Sequence, residues 1–256
     1  MMQITETVKQ LIIINIIFFI GSLAIGSPAV EYLALHFPVN PDFKVWQVVT
    51  HMFMHGSPQH ILFNMLGLWM FGSPLEHFWG AKKFIFFYLS CGIGAAALHT
   101  GIDYYNYHHI LDLIQANGVS EDLVLQILDT GNLNMLSGKV NPTDFNAVKE
   151  LLNTLNGTYR STMLGASGAI YGVMVAFAFM FPNTEMGIMF LPFRIAAKYF
   201  VGGIIAFDTY KAIQGQSVLG AAGDGIAHFA HLGGALTGFI MMLMWRNKKF
   251  KHNRWN

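Results

Sequence analysis

Six apolar stretches, each close to twenty residues long, constrain the fold of this chain more than any other feature. They cover residues 9–28, 58–75, 82–101, 165–182, 192–213 and 226–246. A helix of about 20 mostly apolar residues can cross the hydrocarbon core of a bilayer. Only 11% of the residues are charged, whereas soluble domains have about 25%. The pattern predicts one all-α, polytopic membrane domain over residues 1–256, with six transmembrane helices and the lipid bilayer as its surroundings.

The charge balance and the cysteine content exclude several other classes of protein. A net charge of +1 gives no broad positive field, so nucleic acid is not an expected partner. Cys91 is the single cysteine and cannot form an internal disulfide. The first apolar stretch is followed by "GSPAVEY", which lacks a convincing signal-peptidase site, so we interpret that stretch as a retained transmembrane helix.

Basic residues between and after the apolar stretches predict the orientation in the membrane. Lys82 and Lys83 follow the second stretch, and Arg194 and Lys198 flank the start of the fifth. The tail after Trp245 has five basic residues and no acidic residue. By the positive-inside rule these segments are cytoplasmic, and six spans place both termini on that side. The segments predicted to lie outside are 29–57, 101–164 and 214–225.

Residues 101–160 differ in composition from the rest of the chain and predict an extracytoplasmic helical insertion. The segment has seven acidic and three basic residues, a net charge of −4. "SEDLVLQILDTG" begins with Ser120 as a helix cap and ends at Gly131. "NPTDFNAVKELLNTLNG" has Pro142 near the start of a predicted helix and Gly157 after its end. We expect about three short amphipathic helices here.

Polar residues recur near the outer ends of three apolar stretches. His60 and Asn64 are four residues apart in "HILFNMLGLW", and Ser167 and Tyr171 have the same spacing in "LGASGAIYG". This spacing places both side chains of a pair on one helix face. His231 lies near the start of the sixth stretch, in "IAHFAHLGGALTG". Because polar groups are costly in a membrane, we expect them to face the bundle interior or a wet cavity.

Serine, histidine and further hydrogen-bond donors at one depth indicate acyl-transfer chemistry. A serine hydroxyl becomes a competent nucleophile when a base takes its proton, and histidine is the usual base. The oxyanion of the tetrahedral intermediate needs preorganised donors. The His60 imidazole, the Asn64 amide and the Ser167 backbone N–H at a helix N-terminus are suitable donors. Gly165 and Gly168 leave room around the serine.

Each of these motifs also has a purely structural interpretation. A Gly-x-Ser-Gly sequence in a membrane helix commonly serves helix packing, and His60 with Asn64 can form an interhelical hydrogen-bonded pair. Gly234 and Gly238 form a small-xxx-small face that allows close helix approach. We expect this face to bring the histidine-bearing helix against Ser167.

Taken together, the motifs resemble those of the rhomboid intramembrane serine proteases. "HILFNM" matches the family's His-x-x-x-Asn, "GASGAIYG" its Gly-x-Ser-Gly-x-x-Tyr, and "AHLGGALTG" its Ala-His-x-x-Gly, in the family's order. The resemblance covers about residues 10–100 and 160–245. It implies a six-helix rhomboid-like bundle that cleaves transmembrane protein substrates by a Ser–His dyad, with no cofactor and no metal. The location that we expect is a bacterial cytoplasmic membrane.

The resemblance also assigns a role to each matched residue. Ser167 is the nucleophile, His231 the general base, His60 and Asn64 the oxyanion hole, and Tyr171, Gly165 and Gly168 supporting residues. His228 also follows an alanine, but only His231 precedes Gly-Gly, so His228 receives a secondary role. Two features depart from the family. Gln47 follows Trp46 where the family often has arginine, and the long insertion is expected to flank the mouth of the active site.

Two alternatives from other functional classes stay open. A catalytically inactive rhomboid-like protein would bind membrane clients, although such proteins usually lack the serine or the histidine, and both are present here. A metal-dependent membrane enzyme would use His60, His228 and His231. No His-Glu-x-x-His motif supports that second alternative, and we expect no carboxylate ligand near these histidines.

Overall fold

The computed structural model describes residues 3–187, 194–215 and 227–245, and most of them are helical. The α-helices are α1 (Glu6–Ile25), α2 (Ser27–Leu33), α3 (Gln47–Thr50), α4 (Pro58–Gly67), α5 (Ser73–Trp79), α6 (Ala81–Ala116), α7 (Glu121–Thr130), α8 (Phe145–Tyr159), α9 (Ser167–Met180), α10 (Ala197–Gly215) and α11 (His228–Met244). Short strands among these residues form two antiparallel pairs: β1 (Leu35–His36) with β2 (Thr162–Met163), and β3 (Glu185–Gly187) with β4 (Arg194–Ala196). The prediction of a mainly helical fold is therefore confirmed.

Two helices in the described part of the chain, α1 and α6, are long and apolar enough to cross a membrane. The helices α9 and α11 are also apolar but shorter, with 14 and 17 residues. The count of six spans therefore stays a prediction. Most of the predicted third outer loop and the basic tail, residues 216–226 and 246–256, lie outside the described residues.

The second predicted stretch forms an uninterrupted helical segment of three parts. The hydroxyl of Ser57 accepts a hydrogen bond from the backbone N–H of His60 at 3.1 Å, which caps the start of α4. A π-helical turn, Leu68–Gly72, connects α4 to α5. The segment ends at Gly80, whose φ of 77° is readily adopted by glycine.

The start of α1 lies beside the ends of α5 and α11. The Glu76 carboxylate accepts hydrogen bonds from the backbone N–H groups of Thr7 and Val8 at 3.0 and 2.9 Å. The rings of Trp79 and Trp245 pack edge to face, with centroids 5.5 Å apart. Three segments that the charge pattern places on the cytoplasmic side thus meet at one end of the molecule, and Glu76 anchors the chain there.

The helix α9 connects that end to the opposite one. Phe181, directly after α9, packs against Phe78 with ring centroids 5.3 Å apart. Ser167, at the start of α9, lies at the far end. There Leu35 pairs with Met163 across the β1–β2 ladder. Two segments predicted to lie outside, the first loop and the chain before Ser167, therefore lie together.

The insertion differs from its predicted boundaries in two places. The helix α6 does not end near residue 101 but runs unbroken for 36 residues from Ala81 to Ala116. The side chains of Tyr107, Leu111 and Ile114 after Gly101 are buried in the core shared with α7 and α8, which keeps this part of the chain helical. The helix α8 includes Gly157 and ends at Tyr159. The buried Tyr159 ring and its hydroxyl, which donates to Asp129 at 2.7 Å, outweigh the cost of about 1 kcal/mol of a helical glycine.

A second hydrophobic core is formed by α7, α8 and the end of α6, together with Phe37 of the first loop. Ser120 caps α7 by accepting from the backbone N–H of Leu123, and Gly131, at φ 69°, ends it, as predicted. Burial, followed by the hydrogen bond to Asp129, raises the pKa of Tyr159 to about 12, so its hydroxyl stays protonated as a donor. The insertion is therefore a folded unit.

Gln47 replaces the arginine expected in the first loop and is completely buried. Its Oε1 accepts from the backbone N–H groups of His36 and Lys44 at 3.3 and 3.0 Å. Its Nε2 donates to the carbonyl oxygens of Glu31 and Asp42 at 3.2 and 3.0 Å. The amide thus forms hydrogen bonds with four backbone groups, so an uncharged side chain holds this loop in place.

We expect Gln47→Leu to lower stability by about 2–4 kcal/mol, since buried polar groups left without partners cost about 1–3 kcal/mol each. Thermal unfolding in detergent measures the change. Gln115→Leu, on an exposed position of α6, is the matched control. Equal melting temperatures for the two variants would contradict the role given to Gln47.

Candidate active site

Ser167 and His231 meet at the end of the helical bundle opposite to Glu76. Ser167 is the first residue of α9, and His231 lies in the first turn of α11. The His231 Nε2 atom lies 2.8 Å from the Ser167 Oγ atom. This is the hydrogen bond that a nucleophile and its general base require. The structure therefore brings together the two predicted catalytic residues, which are 64 positions apart in the sequence.

Glycines allow α9 and α11 to approach closely enough for this contact. A Cβ atom on Gly234 would lie 1.8 Å from the Gly168 carbonyl oxygen. A Cβ atom on Gly238 would lie 2.7 Å from the Gly172 Cα atom. No larger side chain fits at these positions without separating the helices. The small-xxx-small face that the sequence predicts is thus the surface that α11 presents to α9.

Tyr171 supports the His231 ring as predicted from its spacing. The two rings are stacked, with centroids 4.2 Å apart and planes 12° from parallel. The Tyr171 hydroxyl donates a hydrogen bond to the Asp208 carboxylate. Both contacts restrict the rotation of the imidazole, because Tyr171 is itself held at its ring and at its hydroxyl.

Asp208 is the site residue that the sequence analysis missed. Its side chain is buried on α10, and its Oδ1 atom lies 3.4 Å from the His231 Nδ1 atom. The same oxygen forms a hydrogen bond with His228 Nδ1. The expectation that no carboxylate lies near these histidines is therefore wrong. An acidic residue within the apolar sequence "IIAFDTY" was the available signal, because charged residues in membrane segments usually serve a function.

His60 and Asn64 lie on α4, which approaches the serine through the segment before α9. A Cβ atom on Gly165 would lie 2.7 Å from His60 Nε2 and 3.7 Å from Ser167 Oγ. The φ of Gly165 is +120°, a region that favours glycine. Gly165 therefore leaves the His60 ring space beside the serine.

The Asn64 side chain is buried, and its Nδ2 atom has no hydrogen-bond partner in the described residues. A buried amide without a partner is costly and is common where a ligand completes the hydrogen bond. The N-terminus of α9, where Ser167 lies, adds backbone N–H groups and a positive dipole end. These groups are suited to an anionic oxygen.

Comparison with known proteins identifies the family. A family model described as "Rhomboid domain" matches residues 42–123 and 143–248, which is most of the chain. The chain belongs to the rhomboid family. The resemblance of its three motifs is thereby confirmed. The match also includes residues 101–123 and 143–160 of the predicted insertion, and residues 124–142 lie between the two matched parts.

Relatives of this rhomboid occur in animals and in bacteria. It is 27% identical to the mouse "Presenilin-associated rhomboid-like protein, mitochondrial" over 222 residues, which is 84% of this chain and 44% of the mouse protein. The human protein of that name is 28% identical over 222 residues, 84% of this chain and 43% of its own. "Rhomboid protease GlpG" of Salmonella typhi is 39% identical over 71 residues, 27% of this chain and 26% of GlpG.

This rhomboid spans less than half the length of the mouse and human relatives. Both are named as mitochondrial proteins, and they give no support to the bacterial cytoplasmic membrane that the sequence analysis expects. Family membership supports a membrane protein.

Proposed function

We propose that this rhomboid is a serine endopeptidase that hydrolyses peptide bonds in or near transmembrane segments of other proteins. The single observation that carries the proposal is the 2.8 Å hydrogen bond between His231 Nε2 and Ser167 Oγ. A protein that only binds clients has no need for a nucleophile and a base in hydrogen-bond contact at a partly buried site.

The proposal includes a topology of six spans in one domain, with both termini on the cytoplasmic side. The start of α1 and the ends of α5 and α11 meet at one end of the bundle, which supports an even number of crossings. Ile17, Ile20 and Leu23 on α1 each expose 60% or more of their surface, as expected for side chains in contact with lipid. The proposal also places the insertion over 101–160 on the outer side, at the end of the bundle that contains Ser167.

In the proposed first step, Ser167 Oγ attacks the carbonyl carbon of the scissile bond while His231 Nε2 takes the hydroxyl proton. The carbonyl π electrons move onto oxygen and form the tetrahedral oxyanion. The proposed donors to this oxyanion are the Asn64 amide, the His60 Nε2–H and the backbone N–H of Ser167. Such donors act strongly because the protein holds them in place before reaction.

In the second step, the imidazolium of His231 gives its proton to the leaving amine, and an acyl-enzyme ester on Ser167 remains. Water then attacks the ester while His231 takes a proton from it, and collapse of the second intermediate returns the proton to Ser167 Oγ. Each proton that His231 accepts is thus given up again. The proposed cycle thus needs only water and the residues of this chain.

Asp208 is proposed as a positioning residue for the base. For Nε2 to accept the serine proton, the proton of the neutral imidazole must lie on Nδ1. The Asp208 carboxylate, 3.4 Å from Nδ1, favours this tautomer and stabilises the imidazolium that forms. Its bond from the Tyr171 hydroxyl holds the carboxylate itself in place.

Asn64→Ala tests the oxyanion hole. Loss of one such donor lowers kcat by about 10²–10³-fold in other serine hydrolases, and we expect a loss of that order with little change in KM. Asn153→Ala, on an exposed position of α8, is the control. A kcat within a few fold of the wild-type value would show that Asn64 does not contribute to the oxyanion hole.

The insertion is proposed to influence how substrates reach the active site. Asn40 of the first loop donates to the carbonyl oxygen of Tyr159 at 2.9 Å, which ties the insertion to the loop beside the serine. We expect replacement of residues 104–158 by a short flexible linker to change the relative cleavage rates of several transmembrane reporters. Unchanged rates and preferences would contradict this role.

A second candidate function rests on the names of relatives. The mouse and human proteins that match 84% of this chain are called rhomboid-like, with no protease in the name. An inactive protein that binds transmembrane clients fits those names.

Hydrolysis of a transmembrane reporter by the purified protein in proteoliposomes distinguishes the two functions, with Ser167→Ala as the control. We expect cleavage by the wild-type protein alone. Binding of reporters without cleavage would favour the second candidate.

A further inference from the structure

Three potential metal ligands converge behind the His231 ring. The Oδ1 atom of Asp208 faces the Nδ1 atoms of both His228 and His231. The ligand atoms of the three residues all lie within 4.8 Å of one another. Tyr171 donates to the other oxygen, Oδ2. Both carboxylate oxygens lie 3.4 Å from His231 Nδ1, and Oδ1 is the one that also contacts His228.

The size and the chemistry of this cluster fit a zinc-type ion. Zinc binds imidazole nitrogen and carboxylate oxygen at about 2.0–2.2 Å with tetrahedral geometry, which separates neighbouring ligand atoms by about 3.3–3.5 Å. The His231 Nδ1 to Asp208 Oδ1 distance, 3.4 Å, matches this separation. His228 Nδ1 and Asp208 Oδ1 are in direct hydrogen-bond contact, so an entering ion would replace that hydrogen bond and move these two atoms apart. Two histidines and one carboxylate leave a fourth position for water. Asp208 supplies the negative charge that a buried cation needs.

We propose that Asp208, His228 and His231 form a binding site for Zn²⁺, and that zinc bound there inhibits the peptidase. The inhibitory part of this inference rests on the proposed function, whereas the binding part does not. The metal would be a reversible inhibitor and would take no part in hydrolysis.

Inhibition follows from the two nitrogens of one imidazole. A metal on Nδ1 of His231 uses the lone pair of that atom, and in the neutral ring the proton then lies on Nε2. Nε2 would donate to Ser167 Oγ and could no longer take the hydroxyl proton. In His231, and likewise in His228, the proton of the neutral ring moves from Nδ1 to Nε2, so the change of tautomer releases no net proton. Zinc would also occupy the carboxylate that positions the base.

Cobalt binding tests the site without any need for activity. Tetrahedral Co²⁺ has intense visible absorption, and Ser167→Ala keeps all three ligands while preventing turnover. For this purified full-length variant, without a histidine tag, we expect one Co²⁺ per chain, displaced by Zn²⁺. Adding His228→Ala should abolish the absorption, whereas adding His109→Ala, on an exposed position of α6, should not. Absent binding, or binding that survives the loss of His228, overturns the site.

Activity measurements on the wild-type protein need no ligand variant and therefore remain informative if His228→Ala fails to fold. We expect saturating Zn²⁺ to slow reporter cleavage by on the order of a hundredfold or more, the contribution of a general base. The midpoint should equal the zinc dissociation constant from the cobalt competition, and a chelator should restore the rate. Cleavage that requires zinc, or a cleavage rate that saturating zinc leaves unchanged, overturns the proposal that zinc inhibits the peptidase.

The two proposals fail in different ways. Cobalt binding that depends on His228 in a protein that never cleaves a reporter overturns the peptidase and supports the metal site. Cleavage that depends on Ser167 in a protein that never binds cobalt supports the peptidase and overturns the metal site. His228→Gln, which keeps a polar side chain of similar length, repeats the binding test.

Discussion

Replacement of His231 by alanine should reduce cleavage of a transmembrane reporter by at least about ten-thousandfold. In enzymes with a serine nucleophile, loss of the base removes almost all of the chemistry that the nucleophile supplies, and effects of the two residues are not additive. His231 Nε2 is the atom in contact with Ser167 Oγ, and within the described residues no other histidine nitrogen shares that contact.

The rate of His231→Ala should therefore equal that of Ser167→Ala and of the double variant, measured in proteoliposomes with the same reporter. His109→Ala is the control for loss of an exposed histidine. A residual rate within a hundredfold of wild type, or a double variant far slower than either single variant, would mean that another group acts as the base.

Replacement of Asp208 by asparagine should lower kcat by about 10²–10⁴-fold while KM changes little. Loss of the carboxylate from a comparable triad has an effect at the upper end of this range, because the wrong imidazole tautomer becomes favoured. Asp208 lies 3.4 Å from His231 Nδ1 and does not contact the serine, so its effect should act through the base.

A merely structural role for Asp208 would predict a different result. Loss of packing would lower the melting temperature and affect KM and kcat together, whereas loss of positioning should lower kcat in a protein that stays folded. Asp112→Asn, on an exposed position of α6, is the control for the same chemical change. A wild-type kcat in Asp208→Asn would show that Asp208 does not position the base in the proposed reaction.

The sequence predicts those parts of the site that local spacing encodes. Tyr171 lies one helical turn after Ser167, and the glycines after His231 give α11 a face that fits against α9. Such features can be recognised in one chain segment at a time. The 2.8 Å contact between Ser167 and His231 follows once these two helices are packed together.

Asp208 could not be found in the same way. It lies 20 residues before His228 and 23 before His231, on a different helix, and only the packing of α10 against α11 brings the three together. Asp208 is the single acidic residue of the apolar stretch 192–213, which indicated a function but did not indicate which residues it contacts. The boundary of α6 was missed for a related reason, since a change from apolar to acidic composition does not end a helix.

Labelling with a fluorophosphonate probe, read by mass spectrometry of the purified protein, tests the central claim most directly. Such a probe forms a covalent bond with a serine that a base activates, and it needs no knowledge of the natural substrate. The account predicts modification of Ser167 in the folded wild-type protein and none in Ser167→Ala or His231→Ala. A folded wild-type protein that is not labelled, or labelling that survives Ser167→Ala, would contradict it.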